Sequence, residues 1–398
     1  MKKIETQVGI IGAGPAGLFL SKILHSNGID NVILENRSRD YVENRLRAGL
    51  LEHNTTELLE ELGVAQNLKE KGIPHHGVLL SFNGERVHIP FEELTGGRRI
   101  TIYGQRFVVR DLIANLKDEN QKEILFEAEA TAIVGIETEN PIIHFKQNSE
   151  VGEIHCDYVA ACDGYHGIGR KTLPSHTFNT HRIEYPFSWL GILAETPPSS
   201  DELIYAFHEN GFALLSYRSP TVSRLYVQVD NDDHVDNWSD ERLWDELETR
   251  LGTSGWKLNR GPIIQKGITP MRSYMIDHMQ YGRLFMAGDA AHIVPPTGGK
   301  GLNLAVADVR LLGNAFINKY KNNDNDLLKN YSNIALQRVW RTQHFSNFMT
   351  QQFHKRFEND SFDYHMQKAQ FDYIIKSEAM KTNIAENYVG LPFGTYIN

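Results

Sequence analysis

The feature that most narrows what this chain can fold into is a glycine-rich turn close to its start. Gly12-Ala13-Gly14-Pro15-Ala16-Gly17 sits between a short apolar run, Thr6 to Ile11, and a stretch with helical periodicity, Pro15 to Ser26. A second apolar run, Asn31 to Leu34, follows and ends at Glu35. Strand, glycine turn, helix and strand in that order make a nucleotide-binding unit. Gly12, Gly14 and Gly17 allow the tight turn and let backbone N–H groups approach a pyrophosphate, while the Glu35 carboxylate accepts hydrogen bonds from ribose hydroxyls. An acid at that place disfavours a phosphorylated ribose in this pocket. The turn alone does not separate a flavin from a nicotinamide dinucleotide, because both bring an adenosine diphosphate to the same helix N-terminus.

At 398 residues, one hydrophobic core is not expected to serve the whole chain. Asp157 to Ala161 and Leu284 to Ala287 are further apolar runs, each leading to an Asp beside a Gly, and suit buried parallel strands, so the nucleotide domain resumes late in the sequence. Between them, from about Phe187 to Gly267, strand-like segments dominate, among them Gly211 to Arg218 and Arg224 to Val229 around a Ser-Pro-Thr turn. They predict an inserted antiparallel sheet. After Asn303 the pattern is helical, and Phe345, Phe348 and Phe353 fall on one face for core or subunit contact.

Other classes are excluded by composition. The net charge of -9 gives no basic footprint for nucleic acid. Cys156 and Cys162 fit neither a disulfide framework nor a zinc knuckle and read as small buried hydrophobes, so no metal is expected. No uncharged apolar run approaches the ~18 residues of a membrane span. Glu5 and the glycine turn interrupt what would be a signal peptide after Met1-Lys2-Lys3, which makes Met1 the expected mature start and the cytoplasm the expected compartment.

Two more segments point to the cofactor. The run from Gly282 to His292, with Gly288-Asp289 at its centre, resembles the second FAD fingerprint of flavoprotein hydroxylases, whose Asp contacts the ribityl hydroxyls. Cys162-Asp163-Gly164, followed by Arg170, resembles their third motif, an Asp-Gly pair shared between FAD and the reductant. Pro295-Pro296-Thr297-Gly298-Gly299-Lys300-Gly301-Leu302-Asn303 is a glycine-rich loop opening a helix at about Leu302, and its dipole favours the negative charge of a reduced flavin. With Arg45-Leu46-Arg47-Ala48-Gly49, Gly211-Phe212-Ala213-Leu214, Ser239-Asp240-Glu241-Arg242 and Ala385 to Pro392, these make the chain similar over essentially its whole length to the 4-hydroxybenzoate 3-monooxygenase family of group A flavoprotein aromatic hydroxylases.

The expected class is therefore α/β, a Rossmann-like FAD-binding domain with an inserted antiparallel β-sheet substrate domain and a C-terminal helical region. The expected bounds are 1–180, 181–275 and 276–398. Beyond the three glycines and Glu35, the resemblance implies FAD contacts at Arg47, Gln105, Asp163 and Asp289. It adds Thr297, Lys300, Leu302 and Asn303 of the loop, and Arg224 as a helper of ring movement. Arg45, Arg47, His166 and Arg272 match family positions around the pyrophosphates, with Arg45, His166 and Arg272 expected to meet the reductant. Arg37 and Arg39 favour NADPH, with NADH as the alternative.

Alternation places Ser216 and Arg218 on one strand face, and a hairpin symmetric about its turn sets Arg218 opposite Arg224 and Ser216 opposite Tyr226. Paired arginines repel, and a carboxylate relieves them through two parallel hydrogen bonds. The pattern alone equally allows a solvated polar sheet face. The resemblance implies that Ser216, Arg218 and Tyr226 hold the carboxylate of a small aromatic acid. It also implies that Tyr205, Tyr388 and His75 relay the proton of its phenol, with histidine exchanging with solvent, and that the Pro296 carbonyl touches the same hydroxyl. The implied reaction is conversion of 4-hydroxybenzoate to 3,4-dihydroxybenzoate with O2 and NAD(P)H through a flavin hydroperoxide, in a homodimer. The alternatives are a hydroxylase acting on 3-hydroxybenzoate or an aminobenzoate and, more distantly, an NAD-dependent dehydrogenase or a flavin-binding protein without activity.

Overall fold

The computed structural model describes residues 2–45, 47, 49–118 and 124–396, so Leu46 and Ala48 of the Arg45–Gly49 string lie outside it. Lys2–Ile11 is central in the first sheet. It pairs in parallel with Asn31–Leu34 on one side and with Glu150–Ala161 on the other, and Leu284–Met286 extends the parallel set. Val8, Ile10, Ile33, Val159 and Ala160 are buried, as strands covered on both faces require. The helix after the glycine turn, Pro15–His25, packs against Gly301–Asn322 from late in the chain. Gly313 permits that approach, since a Cβ there would lie 2.7 Å from Ile23 Cγ2.

The second sheet has eight strands, in the order His292–Ile293, Ile263–Ile276, Thr180–Ala194, Val222–Val229, Ala213–Ser219, Leu203–Phe207, Gly77–Phe82 and Glu85–Pro90. The segment expected at 181–275 supplies its middle, and residues 77–90 add two strands from the N-terminal third. Gly77–Phe82 joins Leu203–Phe207 in parallel, so the sheet is mixed rather than wholly antiparallel. Its run Gly-Val-Leu-Leu-Ser-Phe is buried almost throughout and lacks the alternation that would announce a strand.

Period two then gives the sheet two different faces. Leu190, Ile192, Ile204, Ala206, Leu215, Leu225 and Val227 meet Leu243, Trp244, Leu247 and Leu251 of the helix Asp240–Leu251. That helix interrupts a region whose sequence reads as strands. Its start is fixed by Ser239, whose Oγ accepts the Arg242 N–H at 3.1 Å. On the opposite face Trp189, Tyr205, Phe212, Leu214 and Tyr226 meet Phe345, Phe353 and Tyr388 of the C-terminal helices. Phe345 and Phe353 are thus core residues, and Phe348 packs partly buried against the same cluster.

The hairpin register differs from the symmetric expectation. Ser216 faces Arg224, and Leu214 faces Tyr226, because a bulge between Tyr217 and Ser219 takes up Arg218 ahead of a two-residue turn. The slip of two residues preserves faces, so Ser216, Arg224 and Tyr226 still share the site side. Among the described residues no helix is long and apolar enough to cross a membrane.

His354 closes the join between this sheet and the helix Asp326–Phe353. Its ring stacks between Phe187 and Phe212 at centroid distances of 4.4 and 4.2 Å. Nε2 accepts the Trp189 indole N–H at 2.6 Å, so the proton is on Nδ1, which donates to the Thr350 carbonyl at 2.8 Å. Burial pushes its pKa down to about 3. The native ring stays neutral where the unfolded one protonates, so the unfolded state binds the extra proton between pH 6.5 and about 3. Stability is expected to fall as pH drops below 6.5, by up to ~1.4 kcal/mol per pH unit from this group. Urea unfolding between neutral pH and mildly acid pH checks this: the slope should shrink by that amount in His354→Phe.

Candidate active site

The glycine turn is built as its sequence requires. Gly12 has φ +104° and sits where a Cβ would be 2.4 Å from the Cys162 carbonyl oxygen, and a Cβ on Gly17 would be 1.9 Å from the Gly12 oxygen. Gly14, the N-cap of Pro15–His25, has nothing within 4 Å of a Cβ, which leaves the side facing the helix N-terminus open. The Glu35 carboxylate accepts N–H groups from Ala13 and Arg37, each at 2.8 Å, and is oriented before any ribose arrives.

The Gly288-Asp289 turn rests on a residue that sequence reasoning did not single out. Asp308 Oδ2 accepts the Gly288 N–H at 2.9 Å and lies 2.6 Å from His292 Nε2, both groups being buried. Burial works against a charged His292, but the Asp308 carboxylate, with Asp289 adding to it, lifts the imidazole pKa. The only local signal was an acid within the apolar run Leu304-Ala305-Val306-Ala307-Asp308. Removal from bulk water raises the Asp289 pKa, opposed by His292, Arg47, Arg45 and Arg272, so predicted cofactor and reductant cations converge on one carboxylate. Asp163 Oδ2 accepts the Gly169 N–H at 2.8 Å, while its buried Oδ1 has no partner. An unpaired buried acceptor beside the open glycine turn suits a ligand that brings donors. These residues fit FAD.

Three loop residues expected at the cofactor have their side chains committed elsewhere. Lys300 Nζ donates to Glu52 Oε1 at 2.7 Å and to the Tyr388 carbonyl at 2.8 Å. Asn303 donates to the Leu50 and Gly299 carbonyls at 2.9 and 3.1 Å, and its Oδ1 accepts from Glu52 N and Thr55 Oγ1. Thr297 Oγ1 lies 2.9 Å from Thr350 Oγ1. These side chains fix the loop; what it offers an anion is the backbone N–H groups of the first helical turn, Gly301 to Asn303, with Leu302 half-buried. Gln105 begins the helix Gln105–Asp118 and is half-buried.

On the sheet face, Arg218 makes no ion pair or hydrogen bond among the described residues. Burial depresses its pKa, with Tyr226 opposing and Arg224 and Arg106 adding to the effect. Arg224 Nε donates to Tyr226 Oη at 2.9 Å, leaving the phenol proton of Tyr226 free for an acceptor. Ser216 Oγ donates to the Arg224 carbonyl at 3.1 Å and must turn to reach a ligand. Gly191, also unforeseen, pairs with Tyr226, and a Cβ there would lie 2.7 Å from the ring.

Tyr205 Oη accepts from Gly298 N–H at 3.2 Å and from Tyr388 Oη at 2.8 Å, so its own proton is free. Burial pushes its pKa up to about 12 against these two bonds, and burial also raises that of Tyr388. His75 hydrogen-bonds to neither tyrosine; its Nδ1 is 2.8 Å from Glu202 Oε2, its Nε2 has no partner, and it is fully buried. Direct exchange of that ring with solvent is therefore corrected. The Pro296 carbonyl accepts the Gly299 N–H at 3.0 Å and retains one lone pair.

The expected reductant residues gather around two tyrosines. His166 and Arg272 flank Tyr165 at 5.0 and 4.2 Å from its ring. Arg37 and Arg45 lie over Tyr41 at 5.3 and 5.8 Å, whereas Arg39 is paired with Glu43.

Gly17→Ala places a methyl against backbone that cannot yield. Overpacking of this kind costs ~1–3 kcal/mol, which is about 5- to 150-fold in cofactor affinity. The variant should purify with little visible flavin absorbance while keeping its far-ultraviolet circular dichroism.

Comparison with known proteins agrees with this geometry. The profile of a family described as FAD binding domain matches residues 5–346. The chain is 47% identical over 395 residues to p-hydroxybenzoate hydroxylase of Acinetobacter baylyi, covering 99% of this chain and 97% of that one. It is 26% identical over 323 residues to an uncharacterized aromatic compound monooxygenase, YhjG, of Bacillus subtilis, covering 76% of this chain and 60% of the relative. The crystal structure of p-nitrophenol 4-monooxygenase PnpA from Pseudomonas putida superposes with a TM-score of 0.83 at 19% identity, covering 98% of this chain and 100% of that one. The open glycine turn, the paired acid motifs and this similarity converge: the chain belongs to the FAD binding domain family, among its flavin-dependent aromatic monooxygenases.

Proposed function

We propose that this FAD-dependent monooxygenase hydroxylates 4-hydroxybenzoate beside its phenol to give 3,4-dihydroxybenzoate. The observation that carries the reading is one row of cross-strand neighbours, Tyr205, Leu214, Tyr226 and Gly191, running across the site face. Tyr205 and Tyr226 are two strand spacings apart, about 10 Å. That span suits one aromatic ring with a polar group at each end. At the Tyr226 end the unpaired Arg218 guanidinium meets a carboxylate with two parallel hydrogen bonds. At the other, Tyr205 turns its free proton toward a phenolate oxygen, supported through Gly298 N–H and Tyr388. A phenolate directs electron density to the neighbouring ring carbon, where the oxygen is added.

FAD, when bound, supplies the activation of O2 with electrons taken from NAD(P)H. The chain's own part is to orient the acid, withdraw the phenol proton and keep water away. Tyr205, Phe212, Phe353 and Tyr388 are all buried and form the dry wall of that region. The same reading makes Gly14, Glu35, Asp163 and Asp289 the holders of FAD, and Arg45, His166 and Arg272 the landing points of the reductant. Exposed Arg37, stacked on Tyr41 beside Arg45, favours NADPH. The proposed compartment is the cytoplasm.

The proposed assembly is a homodimer. Its candidate face is the helix Phe362–Lys376, where Phe362, Met366, Ala369 and Tyr373 form an exposed stripe at helical spacing. A second copy covers it by the same stripe, as a twofold contact requires. Light scattering should give a dimer mass for the wild type and a monomer mass for Met366→Glu; a wild-type monomer would exclude the assembly.

With 4-hydroxybenzoate, NADPH oxidation should accelerate and yield 3,4-dihydroxybenzoate, and NADH run alongside should be the poorer reductant. Peroxide as the sole product would refute the assignment. Arg218→Ala should weaken substrate binding about 10- to 100-fold with the loss of a charged pair. Tyr205→Phe should leave binding nearly intact and slow hydroxylation ~100-fold.

A further inference from the structure

We propose that Glu202 is the outermost member of the proton relay, fixing the tautomer of His75 and carrying protons between that ring and water. The inference rests on the reading of Tyr205, Tyr388 and His75 as the path taken by the phenol proton. His75 cannot end that path, because none of it is exposed. Glu202 is placed to do so. Its side chain is 14% exposed, with Oε2 at 2.8 Å from His75 Nδ1 and Oε1 accepting the His76 N–H at 3.0 Å.

A carboxylate that accepts from Nδ1–H makes Nε2 the basic nitrogen of the ring. Nε2 is buried and has no protein partner. The ring is held against Tyr217 at 4.8 Å between centroids. Its strand is tied to the tyrosine end of the path: the His76 carbonyl accepts the Phe91 N–H at 2.6 Å, and the Phe91 ring stacks on Tyr388 at 5.1 Å. The surrounding polar groups are otherwise engaged. The His76 ring pairs with Glu92 at 3.0 Å, and the Tyr217 hydroxyl donates to the Asp201 carbonyl at 2.9 Å, so neither side chain takes the Glu202 carboxylate.

Both hydroxyls first rotate, so that the Tyr388-to-Tyr205 hydrogen bond of the resting structure is reversed and Tyr205 donates; the substrate proton then passes to Tyr205 as Tyr205 gives its own to Tyr388, and the Tyr388 proton reaches Nε2 through water. Nδ1 then releases its proton to Glu202 Oε2, and the carboxylic acid gives it to solvent. One proton leaves the phenol and one enters water; reversal of the sequence reprotonates the product and restores the starting tautomer.

The test uses flavin-loaded enzyme, 4-hydroxybenzoate and a pH-indicating dye that reports proton release on binding. Glu202→Gln still accepts from Nδ1–H but does not ionise, so it separates holding the ring from carrying the proton. Proton release and hydroxylation should slow about 10- to 100-fold, with KM and flavin content unchanged. Glu202→Asp should recover most of the rate, and formate should partly restore Glu202→Ala. A wild type that releases no proton overturns the relay reading and this role with it. Wild-type release together with an unslowed Glu202→Gln, or a Glu202→Ala loss indifferent to formate, overturns the role of Glu202 alone.

Discussion

The buried ammonium of Lys300 sits between the Glu52 carboxylate and the Tyr388 carbonyl, and the relative placement of three distant segments depends on it. One is the strand leading to Glu52, the second is the glycine-rich loop, and the third is the helix Glu378–Val389. Burial depresses the lysine pKa, and Glu52 offsets that loss. Removing one partner of such a pair typically costs ~3–5 kcal/mol, because the other charge remains buried without compensation. Asn303 reinforces the junction with four hydrogen bonds to the same neighbourhood. Gly390 has φ +90° and would place a Cβ 1.9 Å from Glu52 Oε2, so the carboxylate needs a residue without a side chain there.

From this junction the geometry of the Tyr205–Tyr388 pair follows. The loop that Lys300 anchors also presents Gly298 N–H to Tyr205, while Tyr388 belongs to the helix whose carbonyl Lys300 holds. The hydrogen-bonded tyrosine pair is thus assembled from a strand, a loop and a helix that have no local reason to meet. The sheet supplies the other constraint. Its alternation sends aliphatic side chains to the Asp240–Leu251 helix and aromatic and polar ones to the site, so structural core and binding surface lie back to back.

Much of this was legible because it is local. The glycine turn, its flanking strand and helix, and Glu35 are where spacing and periodicity place them, and Asn31–Leu34 is the strand its apolar run predicts. That Ser216, Arg224 and Tyr226 share one face was legible too, since a register slip of two leaves alternation unchanged. What was not legible depends on partners far away in sequence. Lys300 and Asn303 read as cofactor ligands in a glycine-rich loop, but their side-chain partners lie about 250 positions earlier. The bulge that absorbs Arg218 arises from pairing with a neighbouring strand and has no composition of its own. Strands 77–90 join the second sheet through a parallel contact that no short-range pattern encodes, and the burial of His75 depends on Tyr217 of that sheet and on Glu202 just before one of its strands.

Asp308 couples features that look independent along the chain. It belongs to Gly301–Asn322, whose first turn faces the loop, and about two turns further on it grips the backbone of Gly288 and the ring of His292. The helix therefore acts as a ruler between the glycine-rich loop and the Gly288-Asp289 turn. Its rise per residue sets their spacing, and an insertion of even one residue between Asn303 and Asp308 would rotate one grip by about 100° relative to the other. The length of that half-helix consequently fixes how far apart, and at what relative angle, the two turns are held.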